Sequence, residues 1–201
     1  MRLTTPFTPI VLALLWTAPA LAAEDEPKKA SASLAASLEF QLGLSNTVEA
    51  EVDGAPAVED DGQVLVAIVP GFDKFYGKVF AVGAEYMFVW AGADGLDERR
   101  LVMSLHPRVR MSFPVVNKLT LDAMLGLGPT IWTEQTGVPE ARGGGVRLGW
   151  SLRFAFGAGW QFNDSVAAFG SLGYYTSTTY GEDLTANIAS VPLSVGLRSV
   201  F

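Results

Sequence analysis

Val191-Pro192-Leu193-Ser194-Val195-Gly196-Leu197-Arg198-Ser199-Val200-Phe201 is the stretch whose reading decides the fold. Val191, Leu193, Val195, Leu197, Ser199 and Phe201 recur at every second position, and the residues between them include Ser194, Gly196 and Arg198. A period of two places the two sets on opposite faces of one β-strand. A water-soluble domain rarely leaves such a half-apolar strand at its edge without a polar tail, so this strand is expected to be paired on both sides.

The same alternation runs through the rest of the chain. Its clearest instance is Leu101, Met103, Leu105, Pro107, Val109, Met111 and Phe113 against Arg100, Val102, Ser104, His106, Arg108, Arg110 and Ser112. Leu148 to Phe162 sets an aromatic-rich apolar face against Arg147, Ser151, Arg153 and glycines. Eight strands are predicted, near 33–44, 63–71, 78–90, 100–113, 119–131, 146–162, 165–176 and 186–201. The second and seventh are apolar on both faces, which leaves their facing open. Asp73-Lys74 is read as the start of a tight return, and Pro107 and Pro129 as bulges or strand ends, because proline lacks a ladder donor. The longer connections, 46–62, 91–97, 133–145 and 177–183, alternate with short turns. Such asymmetry is characteristic of transmembrane β-barrels, whose strands need about 9–11 residues to cross a bilayer at a tilt.

The beginning of the chain agrees with export. Arg2 precedes an apolar run from Ile10 to Trp16, and Ala20-Leu21-Ala22 is a small-residue cleavage pattern. A signal peptide over 1–22, a short periplasmic arm over 23–32 and a barrel domain over 33–201 are therefore expected. The apolar run falls short of the roughly 20 residues of a spanning helix. The chain has no cysteine, which excludes disulfides, thiolate metal sites and a lipid-modified cysteine. A formal net charge of −7 argues against nucleic acid as a partner.

With its closing alternation ending in Phe201, the chain resembles the small eight-stranded bacterial outer-membrane barrels of the OmpA, OmpX and OmpW type. The resemblance implies an all-β, antiparallel up-and-down transmembrane barrel in the outer membrane of a Gram-negative cell envelope. It also implies a barrel-assembly signal in Val195, Leu197 and Phe201, read by the assembly machinery. Outer-membrane lipids and lipopolysaccharide are the other expected partners, and a monomer the expected state. A soluble eight-stranded barrel with an apolar interior is the rival. The gathering of Trp90, Trp150, Trp160, Phe113, Phe162 and Phe201 on the apolar face, near strand ends, favours membrane girdles instead.

The face opposite the apolar one is then the lumen. It is expected to carry a polar network of Glu39, Glu85, Arg100, His106, Arg108, Arg110, Asp122, Arg147, Arg153 and Arg198. Trp132 breaks the pattern, facing this side or lying in a loop. Buried charges must be paired, because an unpaired one is very costly. Glu39 or Glu85 is expected to meet Arg108 or Arg110, and Asp122 to meet Arg153, with arginine in excess. Ser104 and His106 share this face two residues apart, and a Ser–His pair can serve acyl transfer. The outer-membrane lipid A deacylases also use a closely spaced His and Ser, but here the order is reversed and both residues point inward. Six acids lie between Asn46 and Gly62, without the spacing of a calcium loop. The expected function is non-enzymatic, a structural or surface-interaction role through the loops, with no catalytic, cofactor or metal residues. A narrow, porin-like passage with an arginine-rich lumen is the first alternative, and a lipid-modifying enzyme the second.

Overall fold

A computed structural model of the protein describes residues 33–52, 58–61, 64–92, 99–135, 146–180 and 184–201. The leader and the arm expected over 1–32 lie outside the described residues. The described strands are β1 (Leu34–Val52), β2 (Val58–Asp61), β3 (Leu65–Tyr76), β4 (Phe80–Gly92), β5 (Arg99–Val116), β6 (Leu119–Gln135), β7 (Val146–Asn163), β8 (Val166–Thr179) and β9 (Leu184–Val200). Every pairing among them is antiparallel. Neighbours in sequence pair in turn from β3 to β9, and β1 pairs with both β3 and β9, which closes an eight-stranded barrel. The ring is finished by reciprocal backbone bonds, Phe201 N–H to Leu34 O at 2.7 Å and Leu34 N–H to Phe201 O at 3.2 Å. Closure leaves no ladder edge, as a strand structure in hydrocarbon requires. The small β2 stands apart from the ring and pairs only with the far end of β1.

The strands outrun the expectation at the loop-bearing end. Residues 46–52 were expected in a loop but continue β1, paired with β9 down to Val52↔Leu184. The reason is an irregularity between Gly43 and Ser45. It shifts the buried parity of β1 from Gln41 to Asn46, as a bulge does. Asn46 secures it, donating to Gly43 O at 3.4 Å and accepting from Ser190 Oγ at 2.6 Å. Strands also reach Gln135 and Thr179, into the expected loops 133–145 and 177–183.

At the other end Asp73-Lys74 is not a turn. β3 continues to Tyr76, and the reversal falls at Gly77, whose φ of 75° suits glycine. Pro107 and Pro129 do not produce bulges either. Register on both sides of them is unchanged, from Ser104↔Thr130 to Arg108↔Gly126, and only the pairings between are missing. Each proline removes a donor, while the flanking ladder holds the strands in step.

Burial sorts the faces. Leu38, Phe72, Leu105, Leu125, Trp150 and Leu197 are exposed on the outside, whereas Arg108, Arg153 and Glu85 are buried inside. This is the inverse of a water-soluble protein and suits a lipid solvent. Trp90 and Trp150 are exposed towards the loop end, and Tyr76, Phe80, Trp160 and Phe162 near the short turns. The open facings resolve the same way: Val69 and Asp73 of β3 and Tyr175 and Ser177 of β8 point inward.

Candidate functional site

The barrel interior concentrates the polar chemistry in layers. At the short-turn end lies a small apolar floor of Ala35, Phe75 and Ala81, with Val200 against it. Above it is a layer of charge. Arg108 donates from Nε and Nη2 to the two oxygens of Asp73, 2.8 Å each, and from Nη1 to Glu85 Oε2 at 2.5 Å. Arg153 bridges Glu85 Oε2, at 2.6 Å, and Glu39 Oε1. Gln41 Nε2 donates to the same Glu39 oxygen at 2.9 Å. Arg198 donates to Asp122 Oδ2 at 2.6 Å, and Ser112 Oγ to Asp122 Oδ1 at 2.5 Å.

Next come the hydroxyls. His106 lies 3.1 Å from Glu85 Oε1 through Nδ1 and 2.7 Å from Ser151 Oγ through Nε2. Ser104 Oγ meets Thr130 Oγ1 at 2.9 Å and the Tyr175 hydroxyl at 3.2 Å. Trp132 Nε1–H donates to Ser177 Oγ at 2.8 Å. Towards the loop end an apolar layer follows, containing Leu65, Ala67, Val89, Val102 and Ile188 together with the Trp132 ring.

Of the expected network, Glu39, Glu85, His106, Arg108, Arg110, Arg153 and Arg198 are buried inside, and Asp122 is partly buried among them. Arg147 is half-buried opposite Trp132, away from the charge layer. The side chain of Arg100 lies outside the described residues. The expected pairing of Glu39 or Glu85 with Arg108 or Arg110 is met by Glu85 with Arg108, Glu39 meeting Arg153. One expected pairing is corrected: Asp122 meets Arg198, not Arg153. Asp73 is a carboxylate the sequence reading missed, and with it the four arginines of the described charge layer, Arg108, Arg110, Arg153 and Arg198, face four carboxylates. Its inward parity with Val69 was the available signal, masked by the turn-like Asp-Lys pair.

Arg110 is the least satisfied member. Its Nε lies 3.3 Å from Asp73 Oδ2 but makes no hydrogen bond. Its guanidinium stands 5.8 Å from the Phe169 ring, which Arg198 also faces at 5.3 Å. A cavity of about 20 Å³ beside it, between Arg153, Asp122 and Phe169, has room for about one water. The Ser104–His106 reading fails on geometry, since the Ser104 hydroxyl is engaged by Thr130 and Tyr175 and Ser151 occupies the imidazole.

No protein-family model matches the chain, and no curated protein sequence does. Among solved structures, the chain is similar to Neisserial surface protein A at 12% identity, with 85% of this chain and 100% of that one covered and a TM-score of 0.52. OprG of Pseudomonas aeruginosa matches at 12% identity over 86% of this chain and 97% of that one, TM-score 0.48. The attachment invasion locus protein Ail of Yersinia pestis matches at 11% identity over 85% and 99%, TM-score 0.44. The chain thus has the fold of the small eight-stranded outer-membrane β-barrels.

Proposed function

We propose that this protein is an outer-membrane barrel acting as a sealed scaffold, with a structural or surface-interaction role at its loop-bearing end. Its location would be the outer membrane of a bacterial envelope, with lipids and lipopolysaccharide around the apolar band, and its state monomeric. Val195, Leu197 and Phe201, all exposed on the outside, would serve the assembly machinery.

The observation that carries the reading is the filled interior. An apolar layer, a hydroxyl layer and a compensated charge layer follow one another, and an eight-stranded barrel is about wide enough for side chains to fill it. An ion entering would have to displace apolar contacts and then break buried ion pairs. Arg108, Arg153 and Arg198, which on their own suggested an anion passage, are committed to Asp73, Glu85, Glu39 and Asp122. Single-channel recording of the refolded protein in planar bilayers tests this, with heat-modifiable gel migration as proof of folding. A folded and electrically silent barrel is expected. Steady, anion-selective conductance would overturn the sealed scaffold in favour of a passage.

A further inference from the structure

Lys74 is the odd residue of the outer wall. Every second residue of β3 points outward, and the set runs Val66, Ile68, Pro70, Phe72, Lys74 and Tyr76. Asp73 turns inward to the Arg108 guanidinium, so its neighbour Lys74 must turn out. The ladder partners of Lys74, Leu34 on β1 and Val82 on β4, are apolar and exposed on the same face. Tyr76, Phe80 and Trp160 mark the rim at the short-turn end, and Trp90 and Trp150 the rim at the loop end. Lys74 lies one outward position inside the first of these rims. Among the described residues it is the one charged side chain on the outer face between the two.

A charge on the lipid face of a barrel is costly at the midplane and nearly free only where the headgroups reach it. A lysine meets that condition by snorkelling, its stem along apolar surface and its ammonium at the interface. The direction is set by Tyr76. Lys74 Nζ stands 5.4 Å from the centroid of the Tyr76 ring, which leads the ammonium towards the short-turn rim. The Tyr76 ring in turn lies 6.4 Å from that of Phe80 on β4. Just beyond, Lys78 is exposed in the reversal at Gly77. The acids Glu39, Asp73 and Glu85 of β1, β3 and β4 are all buried inside, so none of them meets Lys74 on the outer face.

We propose that Lys74, with Tyr76 and Lys78, binds the phosphate diester of one anionic glycerophospholipid in the leaflet at the short-turn end. The Lys74 ammonium meets the phosphate, and the Tyr76 hydroxyl donates to a phosphate or ester oxygen. Leu34, Phe72 and Val82, all exposed beside it, give the acyl chains their apolar bed. Two lysines in one short stretch select a headgroup of net negative charge. A zwitterionic headgroup brings an ammonium of its own, which the lysines repel. The inference rests on the reading that the apolar band faces lipid, and adds which lipid and where.

Native mass spectrometry of the refolded protein in detergent is the test, with phosphatidylglycerol or phosphatidylethanolamine of the same acyl chains titrated in. Expected is one phosphatidylglycerol held about tenfold more tightly than phosphatidylethanolamine, the scale of one or two lysines at an anionic surface. Lys74→Gln should weaken that adduct about fivefold, and Lys74→Arg should keep it. Lys118→Gln removes an equal charge from the exposed turn between β5 and β6 and should leave it unchanged. Equal retention of the two lipids by a folded wild-type barrel overturns the proposal, as does an equal loss in Lys118→Gln and Lys74→Gln. A dimer in place of the lipid adduct, lost in Lys74→Gln, overturns it in favour of a second copy. Should Lys74→Gln not fold, Lys78→Gln takes its place: a loss there but not in Lys118→Gln supports the site, and equal effects overturn it. Heat-modifiable migration separates the two readings. A chain that never folds into a barrel in lipid fails both, whereas a folded barrel without the preference fails this one alone.

Discussion

Arg108 on β5 grips Asp73 on β3 with two parallel hydrogen bonds of 2.8 Å although β4 runs between them. The residue of β4 in that rung is Gly83, partnered by Asp73 on one side and Arg108 on the other. A Cβ there would collide with the Phe72 carbonyl and the Asp73 carboxylate. The bidentate contact and the glycine are one device, a side chain passing over a strand that has none.

Asp73→Asn should be among the most damaging single changes in the charge layer. It leaves Arg108 with one carboxylate and Arg110 with no close one, both buried. Breaking a buried pair from one side costs about 3–5 kcal/mol. Urea unfolding of the vesicle-inserted barrel should show a loss of that order, and an unchanged midpoint would mean the pairs are not formed in the membrane.

Arg110→Met should behave differently from Arg108→Met. Arg110 has no hydrogen bond to a carboxylate and rests against Met124 and Phe169. Replacing so poorly satisfied a buried charge with an apolar side chain of similar volume is expected to shift stability by less than about 1 kcal/mol or to raise it. Arg108→Met strands Asp73 beside the weaker Arg110 and should cost several times more, compared in the same unfolding assay. Equal losses would contradict the ranking.

Asn46→Ala should loosen the upper part of the barrel without unfolding it. The amide ties the β1 irregularity to Ser190 of β9. A loss of about 1 kcal/mol fits one or two modest hydrogen bonds. Amide hydrogen exchange should rise across 46–52 and 184–190 while 34–42 stays protected. Uniform acceleration, or none, would show that the side chain does not hold this register.

The tryptophans report which face meets lipid. Trp90, Trp150 and Trp160 are exposed on the outside, at 42%, 58% and 50%, whereas Trp132 is 1% exposed. In variants retaining one of them, brominated lipid should quench the first three strongly and Trp132 little. Trp132→Phe should cost about 1 kcal/mol through the lost bond to Ser177 Oγ. Strong quenching of Trp132 would place it on the wrong face.

The eight strands, their antiparallel closure and the facing of six of them were legible from alternation alone, because a period of two leaves each residue one of two sides. Seven of the ten expected lumen residues are buried inside, for the same reason. Parity could not say which inward residues touch. Asp122 and Arg153 share the inward face, yet Asp122 is held by Arg198 from β9, a neighbour created only when the ring closes. Asp73 was hidden by its resemblance to a turn, and the reach of Arg108 over Gly83 is a three-strand relation that no single strand encodes. The bulge beyond Gly43, which carries β1 past the expected loop, depends on β9 being alongside. The sequence by itself determined the sheet, its faces and its lipid-facing solvent, since these follow from local periodicity. Only the tertiary structure decided the pairing, the layered interior and the Glu85–His106–Ser151 rung, since these depend on which strands closure brings side by side.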